Sequence, residues 1–294
     1  MTAVRSSLTR SSPWIMLAAT FVWGMSSAAL AALEGSLASS ALVAAGGGVT
    51  LLLVAGARRQ GPIRTLLESP GLYVRLGALE AANLLLFVAA LKCGPLPVVV
   101  ALHLIAPLLL LAAEIVRGRR RPTVLVGVEF VLVGAAVAVA VPGSSAEIGM
   151  DRALLGCVLA VGSAVCVALL VSLIARESAQ RPTIASAGWQ LVVASVLGGG
   201  LILTDPPDAR TAGSLVLVGA LLLGPGFCLY WLGLRGLDAT TASIIGLNEA
   251  VFAAVVSAIF TNTPITVGAV IGGALVLSAV VLDDKSRRAP GSRL

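Results

Sequence analysis

Apolar residues in this chain fall into ten runs of roughly twenty, each closed by a short polar stretch. The runs lie at about 12–33, 38–57, 71–92, 96–116, 122–141, 152–175, 183–203, 214–234, 239–260 and 264–282. A helix rises 1.5 Å per residue, so a run of this length matches the ~30 Å of hydrocarbon in a bilayer. The pattern predicts ten transmembrane helices, called spans 1 to 10 below. Only Thr261-Asn262-Thr263 separates spans 9 and 10, which predicts a tight hairpin. Gly46-Gly47-Gly48 lowers helix propensity in span 2. An unpaired backbone in lipid is costly enough that the helix is expected to persist there.

Composition points the same way. Of 294 residues, 58% are hydrophobic and 12% charged, with a mean hydropathy of +1.02. A soluble domain carries about 25% charged residues, so water is not the main solvent of this chain. The net charge of +6 could suggest nucleic acid, but its distribution excludes that reading. With ten alternating spans, sixteen of the twenty Lys and Arg residues fall on one side. They are Arg5 and Arg10; Arg58, Arg59 and Arg64; Arg117, Arg119, Arg120 and Arg121; Arg176 and Arg181; Arg235; and four in the tail from Lys285 to Arg293. Arg75 can snorkel to the same side. Lys92, Arg152 and Arg210 alone fall on the other, with Glu34, Glu147, Asp151, Asp205 and Asp208. By the positive-inside rule both termini are expected in the cytoplasm of a multi-pass inner-membrane protein. The first apolar run is too long for the core of a signal peptide and is read as span 1. Cys93, Cys157, Cys166 and Cys228 form no CxxC pair and read as apolar packing residues, with a Cys93–Cys157 disulfide as the alternative.

The chain also resembles itself. A shift of 143 residues carries Leu91-Lys92 onto Leu234-Arg235, and with them span 3 onto span 8 and span 4 onto span 9. The same shift carries Phe87 onto Tyr230 and Pro107 onto Ala250. The expected fold is therefore an all-α polytopic membrane protein of ten transmembrane helices in two five-helix repeats, residues 1–148 and 149–294. Five is odd, so the second repeat enters the membrane inverted, a recurring plan of secondary transporters.

Several motifs, taken in order, resemble the drug/metabolite transporter superfamily in its EamA-type ten-helix branch. They are Trp23-Gly24; the stretch from Ala89-Ala90-Leu91 through Ile105-Ala106-Pro107-Leu108 to Glu114; Gly127 with Gly134; Leu247-Asn248-Glu249-Ala250-Val251-Phe252; and Gly272-Gly273-Ala274-Leu275. The segment Gly94 to His103, followed by Pro107, and Asn83 are similar to the threonine/homoserine-exporter subgroup. The resemblance implies a secondary transporter, an exporter of small polar or amphipathic metabolites such as amino acids, with spans 5 and 10 as outer supports. His103 departs from the glutamate frequent in that subgroup, and Ala250 from the proline frequent after Glu249.

Ionisable groups inside a membrane cost about 2.5–3.5 kcal/mol on insertion scales and usually face a cavity. Four spans carry unusual residues near mid-length: Glu80 and Asn83 in span 3, His103 in span 4, Gly224-Pro225-Gly226 in span 8, and Asn248 with Glu249 in span 9. Glu249, Glu80, His103, Asn83 and Asn248 are the candidates for binding substrate or protons. Pro107 and Gly224, Pro225 and Gly226 are the candidates for helix breaks or gating, because a proline frees the carbonyl one turn earlier. Each has a plainer reading: buried neutral acids, a packing histidine, packing kinks. Glu114 reads as an interfacial ion pair, and Glu129 as the partner of an arginine in the 117–121 loop. No H-E-x-x-H or G-K-[ST] motif is present, which disfavours an intramembrane enzyme, and no metal or cofactor is implied. A flippase for lipids or polyprenyl phosphates remains as an alternative, though it would want a basic cavity. The expected partners are a small-molecule substrate, the lipid bilayer and protons, with no nucleic acid. The expected state is a monomer, with Gly268 and Gly272 the face a dimer would use.

Overall fold

The computed structural model describes residues 2–33, 37–93, 99, 102–139 and 150–261, and residues 267, 271–272, 274–275, 278–279, 281–282 and 285 of the last span. Every regular element among them is a helix. Seven helices are long and apolar enough to cross a bilayer: Ser11–Leu30, Ala38–Ala57, Pro70–Ala90, Leu154–Glu177, Thr183–Thr204, Ala209–Gly233 and Ala239–Phe260. These are spans 1, 2, 3, 6, 7, 8 and 9. Shorter apolar helices at Ala106–Val116 and Val124–Ala135 belong to spans 4 and 5, and the described residues of span 10 are helical. The hairpin at 262–263, the boundary at 148/149 and Gly268 lie outside the described residues. A short helix, Pro62–Glu68, links spans 2 and 3, started by Gly61 at a left-handed φ of 60°.

At most 44% of the most apolar window of any of the seven helices is buried inside the protein. Trp14, Leu53, Val131, Leu203 and Phe260 are among the apolar side chains left facing outward. In water that surface would exceed any ordinary apolar patch; against lipid it is the expected exterior.

Helix contacts repeat between the halves. Span 3 packs on spans 6 and 7, and span 8 packs on spans 1 and 2. Span 4 meets span 6 as span 9 meets span 1, and spans 2–7 and 4–9 pair with each other. Adding five to each number maps this set onto itself.

The glycines of span 2 do not weaken it; the helix runs unbroken from Leu37 to Ala57. They set a close crossing. A Cβ at Gly46 would meet the carbonyl of Val216, and one at Gly219 the carbonyl of Val43. Gly47 faces Gly224 across the same contact, backbone to backbone. Without lipid-excluding force between apolar helices, such small-residue crossings supply the dispersion contact that holds them.

The largest buried cluster joins eight spans but sits toward one end of the bundle. It contains Met16, Leu51, Tyr73, Leu76, Leu110, Ile174, Leu191, Trp231, Leu234 and Ala242. The loops carrying the arginines meet at that same end. Arg235 donates from Nε to Ser178 O at 2.9 Å and from a terminal nitrogen to Arg181 O at 2.6 Å. Trp189 Nε1 donates to Pro62 O at 2.7 Å. Glu129 lies fully buried and takes a two-pronged contact from one nitrogen of Arg120, at 2.7 and 2.8 Å, as its position two turns into span 5 led one to expect. A vestibule of about 250 Å³ opens there, lined by Leu110, Glu114, Arg117, Arg119, Arg176 and Asp238. At the opposite end the buried apolar cluster is small, Ala90, Val99 and Ala160 of spans 3, 4 and 6. All four cysteines are free.

Candidate functional site

Two helix breaks frame the middle of the bundle. Span 4 unwinds at Leu104-Ile105 and restarts at Ala106, with Pro107 in the first turn. Span 9 ends one helix at Gly246 and starts the next at Asn248. The breaks lie 143 residues apart, the repeat shift, yet only the first carries a proline. Pro107 therefore does not kink a continuous helix, as expected from the sequence. It occupies a first turn, where its missing N–H costs nothing. In span 9 the side chain of Asn248 does the local work, its Nδ2 donating to Ile245 O at 2.9 Å. Asn248 is 5% exposed and so engaged with its own backbone rather than turned to a ligand.

Gly224-Pro225-Gly226 does not break span 8, which corrects the second expectation. The helix continues through a π turn, Gly219–Leu223, in which Gly224 N–H donates to Gly219 O just before Pro225. Gly224 is there for the span 2 crossing. A Cβ at Gly226 would run into the indole of Trp23, so Gly226 makes the seat for that ring. Trp23 then stacks at 4.9 Å from Phe227 and 4.7 Å from Tyr230, ring centre to ring centre.

The candidate polar residues fall into two groups. Glu249 is half-buried, and among the described residues its hydrogen-bond partner is the hydroxyl of Ser27 on span 1, at 2.8 Å. No lysine or arginine lies in a span at that depth. Beside this pair, Trp23 Nε1 and Ser26 Oγ are buried with no hydrogen-bond partner.

Glu80, 3% exposed, sits deeper. It accepts from Gln190 Nε2 at 3.1 Å, and the side chain of Asn83 lies close by, three residues on along the same helix. Gln190 Oε1 in turn accepts from Trp231 Nε1 at 2.9 Å. On the other flank Ser163 donates to Asn83 Oδ1 at 2.7 Å, and His103 Nδ1 lies 2.9 Å from the same hydroxyl. The ring of His103 also lies 4.5 Å from that of Phe87. One polar chain therefore crosses spans 4, 6, 3, 7 and 8.

A relation across the halves emerges here. Span 1 offers Ser27 to the ionisable residue of span 9, Glu249. Span 6 offers Ser163 to the ionisable residue of span 4, His103. Each half thus has a serine contact between corresponding spans, although the shift of 143 carries His103 onto Gly246 and not onto Glu249. Sequence reading named Glu80, Asn83, His103 and Glu249 but passed over Ser27, Ser163, Gln190, Tyr230 and Trp231. Gln190 was within reach: it is an amide near the middle of an apolar span. The serines were not, because serine is common in membrane helices without any such role.

Residues 154–282 match the EamA-like transporter family. None of the curated proteins compared matches the chain. One solved structure, described only as the crystal structure of a protein, is similar over 95% of this chain and 99% of its own, with a TM-score of 0.78 and 16% identity. That likeness is one of fold. With the apolar helices, these matches define the class: a multi-span helical membrane protein.

Proposed function

We propose that the protein is a secondary transporter that exports small zwitterionic or amphipathic metabolites, amino acids among them, across the inner membrane with both termini in the cytoplasm. The observation that carries this reading is Glu249: a half-buried acid at mid-bundle, bonded among the described residues to Ser27 and in no ion pair with them. An acid so placed needs a proton or a cationic group of a ligand beside it. The amine of the substrate takes that position. Its carboxylate takes the unpaired N–H of Trp23 and the hydroxyl of Ser26, not Asn83 or Asn248, whose amides are engaged elsewhere.

The apolar cluster between this site and the arginine-lined vestibule acts as the closed gate. Exchange of shape between two inverted halves, 1–148 and 149–294, opens it, with the proton as coupling ion. The test is amino-acid flux in proteoliposomes under an imposed pH gradient. Wild-type protein is expected to move at least one amino acid above empty vesicles, and Glu249→Gln to reduce that flux at least tenfold at equal reconstitution. Glu249→Gln working at the wild-type rate removes Glu249 from the site. A protein inert to every amino acid that scrambles fluorescent lipid probes is a flippase instead.

A further inference from the structure

The hydrogen bonds around Glu80 have directions that can be worked out from chemistry alone. The indole N–H of Trp231 only donates, so Gln190 must present Oε1 to it and Nε2 to Glu80. Gln190 cannot turn over without stranding a buried indole N–H. Ser163 has one hydrogen, and it goes to Asn83, with both Oδ1 at 2.7 Å and the backbone O at 3.1 Å in reach. His103 must then donate from Nδ1, which leaves Nε2 as its free acceptor. With Oδ1 of Asn83 facing Ser163, its Nδ2 faces Glu80. Donors thus converge on Glu80 from both sides, the arrangement a bare carboxylate requires.

The same cluster also accommodates the protonated acid. If Glu80 gains a proton, it needs an acceptor. Asn83 can turn its amide over, giving Oδ1 to the new O–H and Nδ2 to Ser163 Oγ. The Ser163 hydrogen then moves to the Asn83 backbone O already beside it. Nothing is stranded, and neither His103 nor Trp231 loses its bond. A carboxyl kept permanently in one state would need only one of these two arrangements.

We propose that Glu80 is a dedicated proton site, separate from the substrate acid Glu249, with Asn83 as the amide that turns and Gln190 as the amide that holds still. This rests on the transport reading above for its use, but not for its existence. The titratable groups facing Glu80 are Glu249 from span 9, Tyr230 from span 8 and Cys166 from span 6. Span 7 presents the neutral Gln190, span 4 reaches it through His103 and Ser163, and span 2 carries no titratable residue.

The experiment is infrared difference spectroscopy of the purified chain between pH 9 and pH 5, read at the C=O stretch of protonated carboxyls. A titrating band is expected in wild type and in Glu249→Gln, and its loss in Glu80→Gln, whose new amide satisfies both Gln190 and Asn83 and so keeps the fold. A band that never titrates, or one lost in Glu249→Gln and kept in Glu80→Gln, overturns the proposal. In proteoliposomes that carry L-threonine, Glu80→Gln should retain counterflow and lose gradient-driven accumulation; gradient-driven accumulation at the wild-type rate also overturns it. A wild-type protein that moves no amino acid sinks the transport reading, while the infrared titration still decides the proton site.

Discussion

At the scale of single residues, burial decides what a charge does. Glu129 and Arg120 are 0% and 6% exposed and bonded to each other, so the pair is structural. Removing one partner of a buried pair typically costs about 3–5 kcal/mol, because the other charge is left without compensation. Glu129→Ala should therefore lower the thermal midpoint in detergent markedly, and Arg120→Met with Glu129→Leu should recover most of the loss. If the single variant melts like wild type, the pair adds nothing to stability. Glu249 stands at the other extreme. Among the described residues it has a single serine partner and no counter-ion, so replacing it by glutamine is expected to affect flux far more than folding. Glu80 lies between these cases, buried like Glu129 but surrounded by neutral amides in place of a cation.

At the scale of helices, small residues fix which faces meet. Gly46 approaches the backbone of span 8 so closely that no side chain fits, whereas Gly56 in the same helix has open space around it. Gly46→Leu should destabilise the protein by about 3 kcal/mol or more, since backbone on both sides cannot yield as a side chain can. Gly56→Leu should be near neutral, and thermal unfolding of the two variants makes the comparison. Equal midpoints would mean that spans 2 and 8 do not cross as described. The breaks in spans 4 and 9 belong to this scale too. They occur at matching positions, with Pro107 beside one and Asn248 beside the other, so the repeat keeps the break while the residues producing it differ.

At the scale of the molecule, the arginine loops converge on the end where the apolar core is thick, and the polar residues sit just beyond that core. This asymmetry fits a bundle shut toward the arginine-rich side. The orientation expected from the loop charges can be measured directly. In a Cys-free background, Ser145→Cys and Asn262→Cys should react with an impermeant maleimide from outside the cell, and Gln180→Cys only after the membrane is opened. Reactivity in the reverse sense at any one of the three would overturn the ten-span topology.

Much of this was legible in the residues alone. The spacing of apolar runs determines helix number, because a bilayer imposes one length on every crossing. Arginine distribution sets the orientation to be expected, because short positively charged loops resist translocation. The repeat, and mid-span acids such as Glu80 and Glu249, are visible because charge in lipid is expensive enough to stand out. Tertiary structure decided the rest. It turned Gly46-Gly47-Gly48 from a weak helix into a crossing, and Pro107 from a kink into a helix start. It also turned the Asn248 Nδ2 onto the backbone of Ile245. Only the packed helices could bring Gln190 and Trp231 to Glu80, or Ser27 to Glu249 across 222 positions of sequence. Such partners are chosen by which faces of different helices meet, and a single apolar run of twenty residues carries almost no record of that.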